Sequence, residues 1–299
     1  MCKRIRHNLV LYLMLLVPFT MLILFRYVPM YGVQIAFKNY QPSGTIAQAK
    51  WVGFKYVQSF VDNYKFWTIM RNTLVIGLYS IGTFFCAPLL ALCINYVSST
   101  TLKKTVQTIS YLPHFISTVV MCSIILQFFD ARSGLFNAFL NVFGVESKNY
   151  MGQTGAFSHI YIWTGIWQDV GYASIIYIAS LAGVSPELHE AAMIDGATLL
   201  KRVWHVDIPA LLPKMSVLLI MRCGQVLNVG YEKTYLLQNS MNIDASEVIS
   251  TYVYKQGLTG GLPQYSSSTA IGLFVSIVNL ILLVIVNSIT GKLSGSSLW

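Results

Sequence analysis

The chain has 299 residues, of which 55% are apolar and only 10% are charged. Soluble domains carry about a quarter charged residues, so this composition excludes an ordinary soluble enzyme, whose surface needs more charge. The formal net charge is +9, but the basic residues lie at the ends of apolar segments and not in a polar groove, which argues against nucleic-acid binding. The five cysteines show no CxxC spacing, which disfavours a metal site or a disulfide framework.

Six apolar stretches are long enough to cross a hydrocarbon core, which takes about 20 helical residues. Backbone groups in lipid must bond to one another, so we predict that each stretch is a helix. The predicted spans are Leu9–Phe25, Asn72–Asn95, Val106–Phe129, Phe157–Gly183, Leu211–Gly230 and Ser268–Thr290. The sequence therefore predicts an all-α polytopic membrane protein with six transmembrane helices.

Basic residues predict the orientation of these spans. With the N-terminus inside, the inner segments 1–8, 96–105, 184–210 and 291–299 hold eight Lys and Arg in 54 residues, and the outer segments hold ten in 110. The higher density on the inner side favours two cytoplasmic termini. The first span follows basic residues, as in a signal peptide, but no small-residue cleavage site follows it, so we expect a retained anchor.

The outer segments have turn-rich composition. Residues 26–71 combine Pro and Gly with many aromatics, which is typical of chain at a membrane interface. We therefore divide the chain into 1–71, an N-terminal helix with an external interfacial segment, and 72–299, a core of five spans. Residues 231–267 form a predicted external loop, with a short helix around Ala245–Lys255.

The inner loop Ser185–Pro213 is the most informative segment. Ser185 can cap a helix and Pro186 suits its first position. Gly196 supplies a break, and a second short helical run carries Leu199, Leu200, Val203 and Trp204. We expect Pro209 and Pro213 to bring the chain back to the membrane.

The first helix of this loop has one small, flat face. Leu188, Ala191, Ala192 and Asp195 recur at helical spacing, and Glu190 flanks them. Such a face can dock against another protein, whereas a helix that rests on the bilayer normally sets Lys and Arg opposite large apolar residues. We favour docking, and a helix on the bilayer surface is the alternative.

The same loop resembles the EAA loop of ATP-binding-cassette importer permeases, EAA-x3-G-x9-I-x-L-P. Glu190-Ala191-Ala192, Gly196 and Pro209 match, Asp195 and Ala197 agree with a common form, and Val206 and Ile208 are mild aliphatic departures. Further segments resemble the carbohydrate branch of that family, which imports oligo- and polysaccharides: Asn72-Thr73, Tyr111–Pro113, Asn228–Leu237 and Ile249–Leu258.

This resemblance implies a type I importer permease in the bacterial cytoplasmic membrane, with no catalytic activity of its own. It implies as partners a second permease, normally a different homologous chain, two ATPase subunits that use ATP and Mg, an extracytoplasmic binding protein, and membrane lipid. It also implies that the loop helix sits in a cleft of the ATPase, with an ionic contact from Glu190 and a bend at Gly196. The implied ATPase-coupling residues are Glu190, Ala191, Ala192, Asp195, Gly196 and Pro209.

Polar side chains within spans are candidates for a substrate pathway, because lipid disfavours them. The candidates lie in the fourth and fifth spans: Trp163, Trp167, Asp169, Tyr172, Arg222, Gln225 and Asn228. Among them, Asp169, Tyr172, Arg222 and Gln225 stand at offsets from Glu190 that loosely resemble the sugar contacts of maltose-type relatives. Aromatic faces and hydrogen-bonding groups suit a saccharide, and a free Arg222 would suit an anionic one. The alternative is that Asp169 and Arg222 only neutralise each other.

Two other classes of protein compete with this interpretation. A secondary transporter would favour inverted repeats and ion sites at mid-membrane, which the sequence does not display. An intramembrane enzyme would have only Asp169 as a candidate acid. His114, His159, His189 and His205 lack a second ligand at metal spacing, so we predict packing or capping roles and no bound metal. The chain has no GxxxxGK[ST] motif and no cofactor is predicted.

Overall fold

The computed structural model describes residues 9–261, 263–295 and 297–299, with residues 293 and 294 described by their backbone only. The basic residues Lys3, Arg4 and Arg6, which contribute to the predicted orientation, lie outside the described residues. The regular elements are α1 (Leu9–Leu22), β1 (Lys38–Asn39), β2 (Lys50–Trp51), α2 (Lys55–Val61), α3 (Phe66–Gly82), α4 (Cys86–Asn95), α5 (Thr100–Tyr111), α6 (Thr118–Phe128), α7 (Leu135–Val142), α8 (Thr154–Ala182), α9 (Pro186–Ile194), α10 (Leu199–Arg202), α11 (Ile208–Cys223), α12 (Tyr231–Leu237), α13 (Ile243–Ser246), α14 (Ile249–Tyr254) and α15 (Tyr265–Ser294). Tighter 3-10 turns occupy Val28–Phe37, Leu112–Phe115 and Tyr150–Gly152, and wider π turns occupy Ile23–Tyr27, Val203–Asp207 and Lys255–Thr259.

The chain divides into two compact units. One unit comprises Met1–Asn63 with Val253–Phe274, and the other comprises Tyr64–Tyr252 with Val275–Trp299. The division of the sequence into 1–71 and 72–299 follows the predicted spans and stays a prediction.

In the first unit, the helix that is described from Leu9 onwards continues through a π turn and a 3-10 turn to Phe37. None of the residues in α1 is buried, although nearly all are apolar, which is typical of a helix surrounded by lipid. The predicted interfacial segment that follows contains a small antiparallel pair of strands, with Lys38 opposite Trp51. The Phe37 ring stacks on Trp51 at 5.5 Å and meets the edge of Phe54 at 5.4 Å.

Four helical segments are long and apolar enough to cross a membrane: Leu9–Phe37, Phe66–Asn95, Leu199–Cys223 and Tyr265–Lys292. A fifth is obtained if the bent pair Thr100–Phe115 and Thr118–Phe128 is counted as one span. Helix α8 has 29 residues and a length of about 44 Å, which is enough to cross a membrane. Its sequence is less apolar than those of the four segments, so it is not counted with them. A multi-pass helical protein is therefore supported, and the count of six spans stays a prediction.

The third predicted span is not one straight helix. The two helices of the bent pair meet at an angle of 102°. Pro113 lies in the 3-10 turn that ends α5, and Ile116 and Ser117 are extended. The Ser117 side chain then accepts a hydrogen bond from the Val120 amide and caps α6. The sequence-based span missed this break because Pro113 stands inside a predominantly apolar stretch, where a proline is also compatible with a kinked helix.

The fifth predicted span is shifted along the chain. Helical structure runs from Leu199 to Cys223, and a turn replaces the helix before Gly230. Pro209 lies in the first turn of α11 and Pro213 lies inside it, so neither proline ends the helix. The π turn Val203–Asp207 ends two residues before Pro209, and its wider hydrogen bonding accommodates a residue that has no backbone N–H. The short run predicted at Leu199–Trp204 is thus the start of this longer helix.

Helix α8 is the packing centre of the second unit, where α3, α4, α5, α11 and α13 all contact it. Tyr177 and Leu181 on this helix pack with Ala91 of α4 and Leu211 of α11. Gly171 is buried against α5, and a Cβ atom there would overlap the backbone carbonyl of Ser110. A glycine is required at this position because the two backbones approach too closely for any side chain.

We predict that Gly171→Ala destabilises the protein, since the added methyl group must push α5 away from α8. Overpacking of this kind costs about 1–3 kcal/mol. The measurement is the thermal unfolding of the purified protein in detergent, followed by tryptophan fluorescence.

Gly155→Ala is the matched control, because Gly155 lies in the same helix with no atom near its hypothetical Cβ. This substitution should leave the melting temperature unchanged or raise it. Equal melting temperatures for the two variants would contradict the packing assigned to Gly171.

Candidate functional site: a polar cavity and an exposed helix

A cavity of about 610 Å³ lies in the second unit, among α3, α8, α11, α12 and the turn after α11. Four of the seven residues predicted for the pathway line it: Asp169, Arg222, Gln225 and Asn228. All four side chains are exposed to the open space of the cavity. The structure thus brings polar groups of the fourth and fifth predicted spans together at one cavity.

The other three predicted pathway residues do not line this cavity. Trp163, Trp167 and Tyr172 are exposed elsewhere on α8, with 56%, 51% and 48% of their surface accessible. Trp163 and Trp167 are four residues apart and share a face of the helix, and Asp169 lies on a different face. Any part that these aromatic residues have in a pathway stays a prediction.

Asp169 and Arg222 do not neutralise each other. The Asp169 carboxylate lies 2.9 Å from Nδ1 of His114, and the Arg222 guanidinium donates two hydrogen bonds to the Ser80 hydroxyl, at 3.1 and 2.5 Å. The His114 ring stacks on Tyr172 at 3.9 Å, with 5° between the ring planes. Arg222 thus faces the cavity with a neutral hydroxyl as its partner and keeps an uncompensated charge.

Lys233 is a second cation in the cavity, and the sequence analysis missed it as a site residue. Its ammonium group donates a hydrogen bond to the Tyr161 carbonyl at 3.0 Å and lies 4.8 Å from the centre of the Tyr161 ring. Burial lowers the pKa of Lys233 to about 8, although Cys122 and Asp169 act in the opposite direction. The residue lies within Asn228–Leu237, a segment that carries the family resemblance. That resemblance was the sequence signal that could have identified Lys233 as a candidate site residue.

The predicted helix after Ser185 is present as α9. Ser185 occupies its cap position without a side-chain bond, and Pro186 lies in the first turn. Gly196 has a φ of +73°, and the amides of Gly196 and Ala197 bond back to the carbonyls of Met193 and Ala192, at 3.0 and 2.8 Å. This pair of bonds is a Schellman motif, which ends a helix with a residue in the left-handed region. The break predicted at Gly196 has this physical basis.

Most of α9 faces away from the rest of the protein. Glu190, Ala191 and Asp195 are exposed, and Ala192 is half-buried. Large apolar side chains flank them without cover, among them Leu188 (56% exposed) and Ile194 (86% exposed). An exposed surface that combines apolar groups with two carboxylates is typical of an interaction site.

Two of the segments that carry the family resemblance meet in the structure. The Asn72 amide donates to the carbonyls of Asp244 and Glu247, at 2.8 and 3.0 Å, and the Thr73 hydroxyl accepts from the Ile249 amide at 3.0 Å. All of these groups are buried or partly buried, so the contacts fix the start of α3 against the predicted external loop. The structure also places the predicted short helix of that loop, as α14.

Several apolar helices with an open, charged cavity among them define a membrane transport protein. Residues 84–295 match the family "Binding-protein-dependent transport system inner membrane component", and the chain belongs to that family. The family resemblance drawn from the EAA-like loop is confirmed, as is the expected multi-pass membrane permease. A secondary transporter and an intramembrane enzyme are not supported.

Known relatives match over almost the whole chain. A Bacillus subtilis protein, the polygalacturonan/rhamnogalacturonan transport system permease protein YteP, is 40% identical over 94% of this chain and 88% of its own length. A chain of a bacterial alginate transporter, solved with an alginate pentasaccharide-bound periplasmic protein, has a TM-score of 0.90 and 34% identity, with 99% of each chain covered. A second structure, of a bacterial transporter that imports "the acidic polysaccharide alginate", has a TM-score of 0.89 and 35% identity over 98% of each chain.

Proposed function

We propose that this chain is one of two permease subunits of an ATP-driven importer for an anionic oligo- or polysaccharide. The observation that carries the proposal is the pair of cations, Arg222 and Lys233, that line the cavity. Relatives named for polygalacturonan, rhamnogalacturonan and alginate, of which alginate is described as acidic, support the same substrate class.

The charges in the cavity favour an anion. Among the described residues that line it, Asp169 is the only acid, and its nearest partner is His114. Arg222 bonds only to a neutral hydroxyl. Charge–charge attraction is stronger beside a low-dielectric protein wall than in water, so a uronate carboxylate gains most next to the two cations. The exposed amides of Gln225 and Asn228 can bond to sugar hydroxyls.

Helix α9 is the proposed docking element for a separate ATPase. Its exposed acidic groups can bind basic residues of a partner, and its small residues allow close approach. Movement of the ATPase subunits would then shift α9 and with it the helices that border the cavity, which is rigid-body coupling by alternating access. Pro209, in the first turn of α11, stands where the loop rejoins a transmembrane helix.

The complete importer would contain further components. We infer a second, homologous permease, two ATPase subunits that bind ATP and Mg, and an extracytoplasmic binding protein that delivers the saccharide. Helix α8 would be the sixth span, added to the four apolar segments and the bent pair. Its lower apolarity is compatible with a span because its polar residues can face the cavity and not the lipid. Both termini would lie in the cytoplasm, on the side of α9.

We predict that Glu190→Gln lowers ATP-dependent saccharide uptake by about tenfold or more, a loss equivalent to roughly 1.4 kcal/mol of coupling. The reason is that the neutral amide cannot make an ionic contact to the ATPase. The measurement is uptake by the complete importer in proteoliposomes, together with the amount of ATPase that co-purifies.

Glu187→Gln is the matched control, because it removes the same charge from the first turn of the same helix. It should retain uptake and ATPase binding. Full uptake in the Glu190 variant, at equal amounts of protein in the membrane, would count against the coupling role of α9.

We predict that Arg222→Gln and Lys233→Met each lower the uptake of a uronate oligosaccharide by about tenfold, since a charge-assisted hydrogen bond contributes about 1.5–3 kcal/mol. Arg132→Gln, at an exposed arginine outside the cavity, should have no effect. Undiminished uptake in both cavity variants would exclude a carboxylate site formed by these cations.

The pH dependence of uptake separates the two cations. Burial lowers the pKa of Lys233 to about 8, so its charge is present below that pH and is lost as the pH rises through it. Uptake by the wild type and by Arg222→Gln should therefore fall as the pH rises through that pKa of about 8, and uptake by Lys233→Met should not. If uptake by Lys233→Met fell with rising pH in the same way, a group other than Lys233 would be responsible for the pH dependence.

A further inference from the structure

One buried carboxylate connects the exposed helix α9 to two other parts of the second unit. Asp207, the last residue of the π turn before α11, has no accessible surface. The Tyr96 hydroxyl, just after α4, donates to its Oδ2 at 2.5 Å. Its Oδ1 lies 3.4 Å from Nε2 of His189, which belongs to α9. The carboxylate thus contacts groups from two other segments.

The groups around the Asp207 carboxylate can act only as hydrogen-bond donors to it. Burial, and next the hydrogen bond to Asp207, raise the pKa of Tyr96 to about 12, so the phenol keeps its proton and donates. A carboxylate can only accept, so a hydrogen bond from His189 needs the proton on Nε2; the approach of 3.4 Å is a close contact that does not meet hydrogen-bond geometry. Oδ1 has no hydrogen-bond partner of good geometry, and neither does the buried Nε of the nearby Arg202. A buried charge of this kind is retained only when cationic or donor groups compensate it.

His189 has a special position on α9. Along Pro186–Ile194, only His189 and Ala192 are shielded in part, and all other side chains are exposed. Among the side-chain contacts of the described residues, the His189–Asp207 pair is the polar link from α9 to another element. His189 precedes Glu190, and successive residues on a helix point about 100° apart. The helix therefore presents Glu190 outwards while His189 points to the protein.

We propose that Asp207 is a positioning residue for energy coupling, and that it fixes α9 to the transmembrane helices through His189 and Tyr96. The chain enters and leaves α9 through short turns, and the exit contains Gly196 in the left-handed region. A helix held only by such turns could rotate without moving the helices behind it. The contacts of Asp207 supply a further fixed point, so that displacement of α9 is passed to α4 and α11. This inference rests on the proposed docking of an ATPase at α9.

The test measures the number of saccharide molecules imported per ATP hydrolysed by the complete importer in proteoliposomes. We expect His189→Ala to lower this ratio by about fivefold or more, at the low end of typical coupling effects. Basal ATP hydrolysis and the amount of assembled complex should stay near the wild-type values. Tyr96→Phe, which keeps the ring and removes the donor, should lower the ratio in the same direction.

A comparison of His189→Gln with His189→Ala distinguishes a positioning role of His189 from an effect on the stability of the protein. His189→Gln supplies an amide donor of similar reach, whereas His189→Ala supplies none, so the glutamine variant should restore much of the ratio that the alanine variant loses. A ratio that stays at the wild-type value in both His189→Ala and Tyr96→Phe would overturn the inference. So would a loss of uptake that comes only from less assembled complex, with an unchanged ratio.

Asp207→Asn provides an independent variant, because it keeps the shape of the side chain and removes the charge. In the double variant with His189→Ala, the two effects on the ratio should not add, since both remove one contact. Additive effects would contradict a direct link. If Glu190→Gln lowers uptake as expected while the His189 variants are normal, only this inference fails. If Glu190→Gln imports normally, the docking proposal itself fails.

Discussion

The close packing of α8 is the constraint on which the rest of the second unit depends. Lipid gives helices no hydrophobic reason to associate, so contact must come from surfaces that fit closely. Gly171 permits such a fit, because its missing side chain lets α8 lie directly against the backbone at Ser110. The same helix carries Asp169 into the cavity and ends, after Ala182, at the turn that leads into α9.

Two walls of the cavity, α8 and α11, and the exposed helix α9 therefore lie in one continuous stretch of chain. α8 lines the cavity, α9 follows it, and α11 returns with Arg222 to the same cavity. Movement of α9 relative to the membrane would thus act on the two helices, α8 and α11, that line the cavity. The charged groups in this region are costly in a membrane, and the proposed passage of an anionic saccharide accounts for their presence.

Much of this organisation could be predicted from local sequence signals. Ser185, Pro186 and Gly196 set the ends of α9 through their own backbone preferences, and the spans containing α1 and α15 are long apolar runs. The bend after Pro113 and the π turn before Pro209 could not be predicted, because a proline inside an apolar run is compatible with a straight, kinked or broken helix.

The contacts of the candidate site were harder to predict than its location. Arg222 and Asp169 line the same cavity, but their partners, Ser80 and His114, come from other segments. Lys233 lies in the segment that the sequence predicts to be an external loop, and it comes next to Tyr161 only in the folded chain. Such pairings depend on tertiary packing, which no spacing in the sequence encodes.

Photo-cross-linking from α9 in the assembled importer tests the central claim most directly, namely that motion driven by nucleotide enters this subunit through α9. A photoreactive amino acid replaces Ala191, and another replaces Phe139 of α7 as the control. The account predicts an adduct between position 191 and the ATPase, with a yield that changes when ATP binds, and no such adduct from position 139. Adducts with lipid alone at position 191 would contradict it.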